Sequence, residues 1–283
     1  MNLIEEYHEF TWDMVRALPK AYHIHNQGLP VEVKCKPGLS ELYYFADKVT
    51  EVSKFEGPND KNTYNNEPPN FALQNWTPPP LKEKYNGHVK FKRPTVTIQN
   101  KYALEWNTGI YNYFPLDVLG EIFEFLKEKY DIIYIRPKGD SKNYYKDENE
   151  IKPFNDYEFI QNYHPYVYTI EQFLKQCNGV NNGWPFRFVR KTTMPVGMFP
   201  NYSYNTIQMI LQSTSDKHIT VSGGNACLSA YFGGDVFIFD SPKGGGAGRG
   251  VWKDNSWLSS LGNANIFGFN SYDELTNKVK SNW

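Results

Sequence analysis

The chain has few cysteines, no surplus of either charge and no long apolar run. Cys35, Cys177 and Cys227 are odd in number and far apart in the 283 residues. They lack the Cys-X-X-Cys and Cys/His spacings of zinc sites, which argues against a disulfide framework and a structural metal. With 30 Lys and Arg against 31 Asp and Glu, the chain also lacks the basic excess of a nucleic-acid-binding protein. We therefore expect neither a metal site nor a nucleic-acid partner.

Signals for export or membrane insertion are missing as well. The first twenty residues are acidic early and contain no apolar core, unlike a secretory signal peptide. No apolar stretch approaches the roughly 20 residues that span a bilayer, and the sparse cysteines fit a reducing compartment. We expect a cytoplasmic protein without a transmembrane segment.

Aromatic side chains, by contrast, are abundant, at 17% of the residues. Aromatic rings pack cores, but they also stack on sugar rings and nucleobases. Trp76, Tyr102 and Trp106 are the candidates for stacking on a ligand, and packing in a core is the alternative for each.

The N-terminal third predicts a small lobe followed by a long connection. The expected elements are a helix ended by Pro19, a strand and a second helix, at residues 5–18, 21–25 and 38–52. From 55 to 87 the chain is rich in Pro, Asn and Lys, which predicts a connection with little regular structure. Its run Trp76-Thr77-Pro78-Pro79-Pro80 can be neither a helix nor a central strand. We therefore divide the chain into an N-terminal lobe, residues 1–92, and a C-terminal lobe, residues 93–283, whose last helix could pack back on the first lobe.

Strands and helices alternate from Pro94 onward. The predicted strands are 96–98, 131–136, 218–221, 236–239 and 266–269. The predicted helices are 115–130, 170–177, 204–213, 224–232 and 272–279. This alternation is typical of an α/β domain with a doubly wound parallel sheet covered by helices on both faces. In open sheets of this kind ligands bind beyond the carboxyl ends of the strands, so residues directly after a strand are candidates for a site.

The most informative turn is Ser222-Gly223-Gly224-Asn225-Ala226, which joins a predicted buried strand to a helix of small residues. Two glycines allow a ligand to approach the backbone closely. The free N–H groups and the dipole of the helix N-terminus suit a diphosphate. The alternative is a tight turn that needs glycine for packing alone, because the sequence is neither the Gly-X-Gly-X-X-Gly fingerprint nor a Walker P-loop.

Further candidates follow the neighbouring strands. Asn100, Lys101 and Tyr102 come directly after the strand at 96–98, with Trp106 close behind. Contact with a ligand and a solvated loop are both compatible with this position. Arg136 ends the next strand, where its guanidinium group could bind phosphate or form an ion pair with a nearby carboxylate.

Two other stretches leave a functional and a structural interpretation open. The glycine-rich run from Lys243 to Gly250 lacks the ending of a P-loop. It is either a flexible surface loop or a mobile lid in which Lys243 and Arg249 meet phosphate charge. In the N-terminal lobe, His23 and His25 could deprotonate a hydroxyl group or serve as structural hydrogen-bonding groups.

Three segments together resemble a known family. They are Asn100-Lys101-Tyr102, Tyr134-Ile135-Arg136-Pro137, and Ser222-Gly223-Gly224-Asn225 through Tyr231-Phe232-Gly233-Gly234. In this order they are similar to glycosyltransferase-like proteins of bacterial surface-polysaccharide clusters and of large DNA viruses. The likeness covers roughly residues 96 to 238. One departure is Ala226-Cys227, where a hydroxyl residue is expected beside the asparagine, so backbone amides would have to bind the phosphate there.

The resemblance implies a GT-B-type arrangement of two Rossmann-like lobes. The C-terminal lobe would bind a nucleoside diphosphate sugar of the UDP or GDP type, and the N-terminal lobe a glycan acceptor. The sugar would pass to a glycan hydroxyl without a metal or other cofactor. His23 or His25 is the first candidate for the catalytic base, and Asp13, Glu32, Glu41 and Asp47 are alternatives. The expected nucleotide-sugar contacts are Asn100, Lys101, Tyr102, Trp106, Arg136, Ser222, Gly223, Gly224, Asn225, Ala226, Lys243 and Arg249.

Two other functions remain as alternatives. A non-catalytic protein that binds glycans or nucleotides could use the same fold. A different nucleotide-using enzyme, such as an epimerase or a phosphotransferase, is disfavoured because the dinucleotide fingerprint and the P-loop are both missing.

Overall fold

The computed structural model describes residues 2–5, 10–52, 76–104, 109–137, 152–177, 186–188, 202–243, 252–254 and 256–283. These residues form two compact units that separate between Pro80 and Leu81. None of the helices in the described ranges is long and apolar enough to cross a membrane.

The first unit is built on a small parallel sheet. Its strands, in the order β1-β2-β3, are Asn2–Glu5, Val31–Cys35 and Lys48–Glu51. Its helical segments are α1 (Phe10–Trp12), a π-helical segment (Asp13–Ala17), α2 (Leu18–Asn26) and a 3-10 turn (Ser40–Tyr43). Along β2, buried and half-exposed residues alternate, so one side of the sheet is apolar and packs against the helices.

The predicted strand at residues 21–25 is wrong, because this segment belongs to a helix that runs through Pro19. Proline inside a helix lacks an N–H group, and its ring collides with a preceding carbonyl group. Here the π-helical segment lies directly before it, and the N–H of Leu18 donates to the carbonyl oxygen of Asp13, five residues earlier. The wider π-turn makes room for the ring, so Pro19 falls in the first turn of α2, where proline is tolerated.

The predicted helix at residues 38–52 is wrong too. The 3-10 turn ends at Tyr43, and Lys48–Glu51 forms the edge strand β3. Leu39 and Leu42, which suggested a helix, are buried around that single turn. Val49 and Thr50 are β-branched, and β-branched residues favour a strand.

The second unit contains the main sheet. Its strands are β4 (Val89–Phe91), β5 (Thr95–Gln99), β6 (Asp131–Ile135), β7 (Val167–Thr169), β8 (Phe186–Phe188), β9 (Lys217–Val221), β10 (Gly234–Phe239) and β11 (Ala264–Phe269). Its helices are α3 (Leu81–Tyr85), α4 (Leu116–Leu126), α5 (Asp156–Gln161), α6 (Ile170–Cys177), α7 (Tyr204–Ser213), α8 (Gly224–Tyr231), a 3-10 turn (Trp257–Leu261) and α9 (Tyr272–Asn282). β4 pairs antiparallel with β8, and the other six strands form one parallel sheet.

The order of this sheet is β11-β10-β9-β5-β6-β7. The chain moves outward from β5 through β6 and β7, then returns to the other side of β5 and moves outward again through β9, β10 and β11. Counted from β5, the strand order is 3-2-1-4-5-6, the doubly wound arrangement of nucleotide-binding sheets. The predicted α/β class with a parallel sheet is therefore confirmed.

The two faces of the central strands differ in polarity. On one face Val96, Ile98, Ile219 and Val221 join α4, α5 and α9 in a continuous apolar core, which Trp283 extends. Helix α9 thus packs within this unit, against α4, β10 and β11. Crossover connections between parallel strands are right-handed, so the reversal at β5 places α8 on the opposite face.

That opposite face is polar where β5 and β9 meet. The hydroxyl of Thr97 lies 2.6 Å from Nδ1 of His218, and the hydroxyl of Thr220 lies 3.4 Å from Oε1 of Gln99. All four side chains are fully buried. These bonds tie the two central strands together through side chains as well as through the backbone.

Gly234, the first residue of β10, is required by a close backbone approach. Its φ is 71°, a left-handed conformation that favours glycine. A Cβ at this position would overlap the backbone carbonyl oxygen of Asp216. Gly87 has a similar φ of 81°, but a Cβ there would meet no atom within 4 Å.

This difference predicts the outcome of two alanine substitutions. Gly87→Ala introduces only left-handed strain and should lower the free energy of unfolding by about 1 kcal/mol. Gly234→Ala adds a steric overlap and should lower it by about 3 kcal/mol. Urea unfolding of both variants, followed by circular dichroism, measures the two values. Equal losses would show that the carbonyl group of Asp216 moves aside freely.

Candidate functional site

The reversal of strand order creates the candidate site. β5 and β9 are neighbours, and the chain leaves their carboxyl ends in opposite directions. Such a reversal opens a crevice beyond the ends of the two strands, where doubly wound proteins bind their ligands. Asn100–Tyr102 follows β5 and Ser222–Ala226 follows β9. The fold therefore brings two of the segments selected from the sequence to the same edge.

The turn after β9 borders open space at Gly223. The N–H of Ser222 donates to the carbonyl oxygen of Phe239 over 2.8 Å, which anchors the turn to β10. Gly223 has a φ of 128°, and a Cβ there would meet no atom within 4 Å. Its carbonyl oxygen accepts the N–H groups of Ala226 and Cys227. Gly223 thus caps α8 and borders open space.

Two donors remain at this turn. The N–H groups of Gly224 and Asn225, in the first turn of α8, have no hydrogen-bond partner among the described residues. The first turn of α8 contains no acidic residue, so no side chain offsets the positive end of its dipole. Ala226, predicted as a contact, is fully buried and its N–H is bonded to Gly223. The turn therefore offers an anion two amides and a helix dipole.

Asn100 holds the loop after β5. The side chain is fully buried. Its Oδ1 accepts the N–H groups of Phe114 and Lys101, and its Nδ2 donates to the carbonyl oxygen of Phe114 and to the hydroxyl of Tyr134, all within 3.0 Å. The amide is fully engaged in internal bonds. A second asparagine, Asn112, accepts the N–H of Ser241 over 2.8 Å and ties the same loop to the end of β10.

Arg136 forms an ion pair, which is one of the two interpretations that the sequence left open. Its guanidinium group binds both carboxylate oxygens of Asp156, with Nη2 lying 2.7 Å from Oδ1, and both side chains are buried. Burial lowers the pKa of Arg136, but the hydrogen bond and charge of Asp156 outweigh this effect and the pKa lies above its ordinary value. The guanidinium group also lies over the ring of Tyr157.

Two tyrosines complete this buried network. The hydroxyl of Tyr134 donates to Oδ2 of Asp156 over 2.6 Å and accepts from Asn100. The hydroxyl of Tyr157 lies 2.5 Å from the carbonyl oxygen of Arg136 and 3.0 Å from Oε1 of Glu171. Burial raises the pKa of both tyrosines well above the ordinary value. The network joins the ends of β5 and β6 to α5 and α6.

The remaining predicted contacts are more dispersed. Tyr102 is half-buried and stacks on Phe154, with the ring centroids 4.5 Å apart. Lys101 is half-buried, and Lys243 is exposed after β10. Trp106 and Arg249 lie outside the described residues.

His23 and His25 lie on α2 in the first unit. Nε2 of His23 is 3.0 Å from Nε2 of Gln27, one helical turn later. The ring of His25 packs near Tyr22 and Phe45, with centroids 6.0 and 5.4 Å away.

A cleft of about 590 Å³ lies beyond the carboxyl ends of β10 and β11. Four aromatic residues line it: Tyr111, Tyr113, Phe239 and Tyr272. It adjoins the glycine turn through Phe239, whose carbonyl oxygen holds Ser222. Among the residues that line this cleft, Lys243 was selected from the sequence and the others were missed. The rule that led to Asn100, which selects polar residues directly after a strand, would also have selected Asn270 and Ser271 after β11.

Neither a cluster of metal ligands in the described residues nor a related protein indicates the function. Within the described ranges, no three His, Cys, Asp or Glu side chains are grouped closely enough to hold a metal ion. Comparisons with models of protein families, with curated proteins and with solved structures found no match to this chain. The function is therefore inferred from the geometry of the site and from the sequence.

The buried ion pair predicts a large effect for Asp156→Asn. This change leaves the charge of Arg136 buried without its counterion and should lower the free energy of unfolding by about 3 kcal/mol or more. Lys280→Ala is the matched control, because it breaks the exposed pair with Glu121 and should cost less than about 1 kcal/mol. Chemical denaturation measures both. Similar small losses would contradict the structural role assigned to Arg136.

The buried His218 on the polar face of the sheet predicts that the stability of the protein falls as the pH is lowered. Burial lowers the pKa of His218 from 6.5 to about 3. Between these values the unfolded chain binds a proton that the folded chain excludes. This contribution to stability is therefore complete above pH 6.5 and is lost as the pH falls, by up to ~1.4 kcal/mol per pH unit.

His218→Gln removes this proton-linked term. The free energy of unfolding of the variant should therefore fall less steeply between pH 6.5 and 4 than that of the wild type. Urea unfolding across this range gives the two slopes, and the carboxylates contribute equally to both. Parallel slopes would show that His218 is protonated in the folded chain.

Proposed function

We propose that the chain is a glycosyltransferase that binds a nucleoside diphosphate sugar at the carboxyl edge of its main sheet and transfers the sugar to a glycan hydroxyl. The observation that carries the proposal is the open turn at the reversal of strand order. There the N–H groups of Gly224 and Asn225 have no partner among the described residues, and Gly223 borders open space. A diphosphate is the part of the donor that such a turn suits.

In this proposal the backbone of the turn, more than any side chain, binds the diphosphate. Main-chain amides and the dipole of α8 are held in place before any ligand arrives, so they need little reorganisation when charge develops on the departing diphosphate. Lys101, which follows β5, would offset part of that charge, whereas Lys243 lines the neighbouring cleft. Arg249 stays a sequence-based candidate for the same role. Asn100 and Arg136 serve in this proposal as positioning residues, since their polar atoms bind other parts of the chain.

The proposed reaction needs no metal. The hydroxyl oxygen of the acceptor attacks the anomeric carbon, the bond from that carbon to the diphosphate oxygen breaks, and the nucleoside diphosphate leaves with the electron pair. The proton of the acceptor passes to a general base, for which His23 and His25 are the sequence-based candidates. The GT-B-type arrangement, the UDP or GDP donor, the glycan acceptor and the cytoplasmic location rest on the sequence alone.

Non-catalytic binding of a nucleotide or a glycan is the second candidate function. It is favoured by the internal bonds of Asn100 and Arg136, since the polar atoms of these two side chains bind other parts of the chain and not a substrate. Turnover separates the two functions. A glycosyltransferase releases nucleoside diphosphate when donor and acceptor are both present, and a binding protein does not.

Gly224→Asp tests the diphosphate site. An aspartate at the start of a helix interacts favourably with the dipole, so the fold should survive, while its charge repels phosphate. We expect at least a tenfold weaker affinity for UDP or GDP, measured by isothermal titration calorimetry with and without EDTA. Gly224→Asn is the matched control, because it adds nearly the same volume without charge and should weaken binding less.

Two results would contradict the proposal. The first is that neither UDP nor GDP binds the wild type. The second is that Gly224→Asp binds the nucleotide as tightly as the wild type does. The first result removes the nucleotide, and the second moves its phosphates away from this turn. Circular dichroism and the unfolding midpoint of each variant confirm that a loss of binding is not a loss of folding.

A further inference from the structure

The cleft beyond β10 and β11 has the chemistry of a sugar site. Its aromatic lining, the rings of Tyr111, Tyr113, Phe239 and Tyr272, offers apolar surface with hydroxyl groups at the tyrosine tips. Its volume of about 590 Å³ lies in the range of small-molecule sites. It belongs wholly to the second unit.

The rings form one aromatic wall of the cleft rather than two facing walls with a gap between them. Tyr272 stacks on Phe239, with the centroids 4.2 Å apart and the planes inclined by 21°. Its hydroxyl donates to the carbonyl oxygen of Tyr113 over 2.7 Å, so the wall is fixed before a ligand binds. A flat nucleobase is bound best between the accessible faces of two aromatic rings. The C–H face of a sugar ring needs only one aromatic surface, provided that polar groups lie at its rim.

Such polar groups are present. Asn270, Ser271 and Asp273 line the cleft from the end of β11 and the first turn of α9. The side chains of these three residues form no hydrogen bond or ion pair within the described part of the chain. An amide, a hydroxyl and a carboxylate can together both donate to and accept from the hydroxyl groups of a sugar.

The charge of the lining favours a neutral ligand. In the described part of the chain, Asp273 and Lys243 are the two charged residues of the lining, and their charges cancel. A phosphate group would meet the carboxylate of Asp273 at the start of α9, which already offsets the positive end of that helix dipole. The diphosphate turn at α8 is the reverse case, because its first turn has no acidic residue.

We propose that this cleft binds a neutral saccharide unit, at a site separate from the diphosphate turn. The site does not depend on the proposed transfer reaction, since it could hold a glycan for transfer or for recognition alone. The glycan would lie against Tyr272 and Tyr111, with its hydroxyl groups bonded to Asn270 and Asp273.

Saturation-transfer difference NMR tests this site with a panel of methyl glycosides of glucose, galactose, mannose and N-acetylglucosamine. At least one glycoside should receive saturation on its ring C–H protons. Asp273→Ala should weaken its binding at least tenfold. Glu274→Ala is the matched control, because this neighbour lies in the same helical turn outside the lining and should leave binding unchanged.

The outcomes for the two sites can be told apart. Asp273→Ala should leave the affinity for UDP or GDP unchanged, and Gly224→Asp should leave glycoside binding unchanged. No saturation transfer to any glycoside up to about 10 mM, one order of magnitude above a millimolar dissociation constant, or equal binding by the wild type and Asp273→Ala, would overturn the saccharide site. Displacement of the glycoside by nucleotide, with Asp273→Ala weakening the nucleotide, would assign the cleft to the nucleotide instead.

Discussion

The buried pair of Arg136 and Asp156 is the constraint on which the candidate site depends. A charge inside a protein is tolerable only when its counterion and hydrogen bonds are in place, and this requirement fixes the positions of β6 and α5 relative to each other. Through the hydroxyl of Tyr134 the same carboxylate reaches Asn100, which holds the loop after β5. That loop supplies two rings of the aromatic cleft. A buried ion pair thus fixes the positions of aromatic residues that line the cleft.

The sequence predicted the second unit far better than the first. The expected helices at 170–177 and 204–213 coincide with α6 and α7, and the predicted strands coincide with β5, β6, β9, β10 and β11 to within two residues at each end. In these segments the apolar pattern of the sequence and the tertiary environment agree. The predictions for the first unit were wrong where the local pattern and the tertiary environment conflict. A π-helical segment before Pro19 has no recognisable sequence signal, and Leu39 and Leu42 mimic a helical face while serving one short turn.

The sequence indicated that the candidate residues share one edge of the sheet, but it did not indicate their partners. Polar and glycine residues after buried strands come to the same edge, because parallel strands bring their carboxyl ends together. Whether a given side chain faces a ligand or the interior is decided by partners that are distant in sequence. Arg136 finds Asp156 twenty residues later, and Asn100 finds Phe114 across a loop. No periodic pattern in the sequence indicates such pairs, so a ligand contact stayed one of two interpretations for both residues.

The helical state of α2 changes what its two histidines can do. In an extended strand, side chains two residues apart point to the same side, and His23 and His25 could have acted on one hydroxyl together. In a helix of 3.6 residues per turn they diverge by about 200°. Their neighbours reflect this divergence, since His23 meets Gln27 and His25 meets Tyr22 and Phe45. A single acceptor can therefore be approached by one imidazole only, and the pair separates into two independent hypotheses.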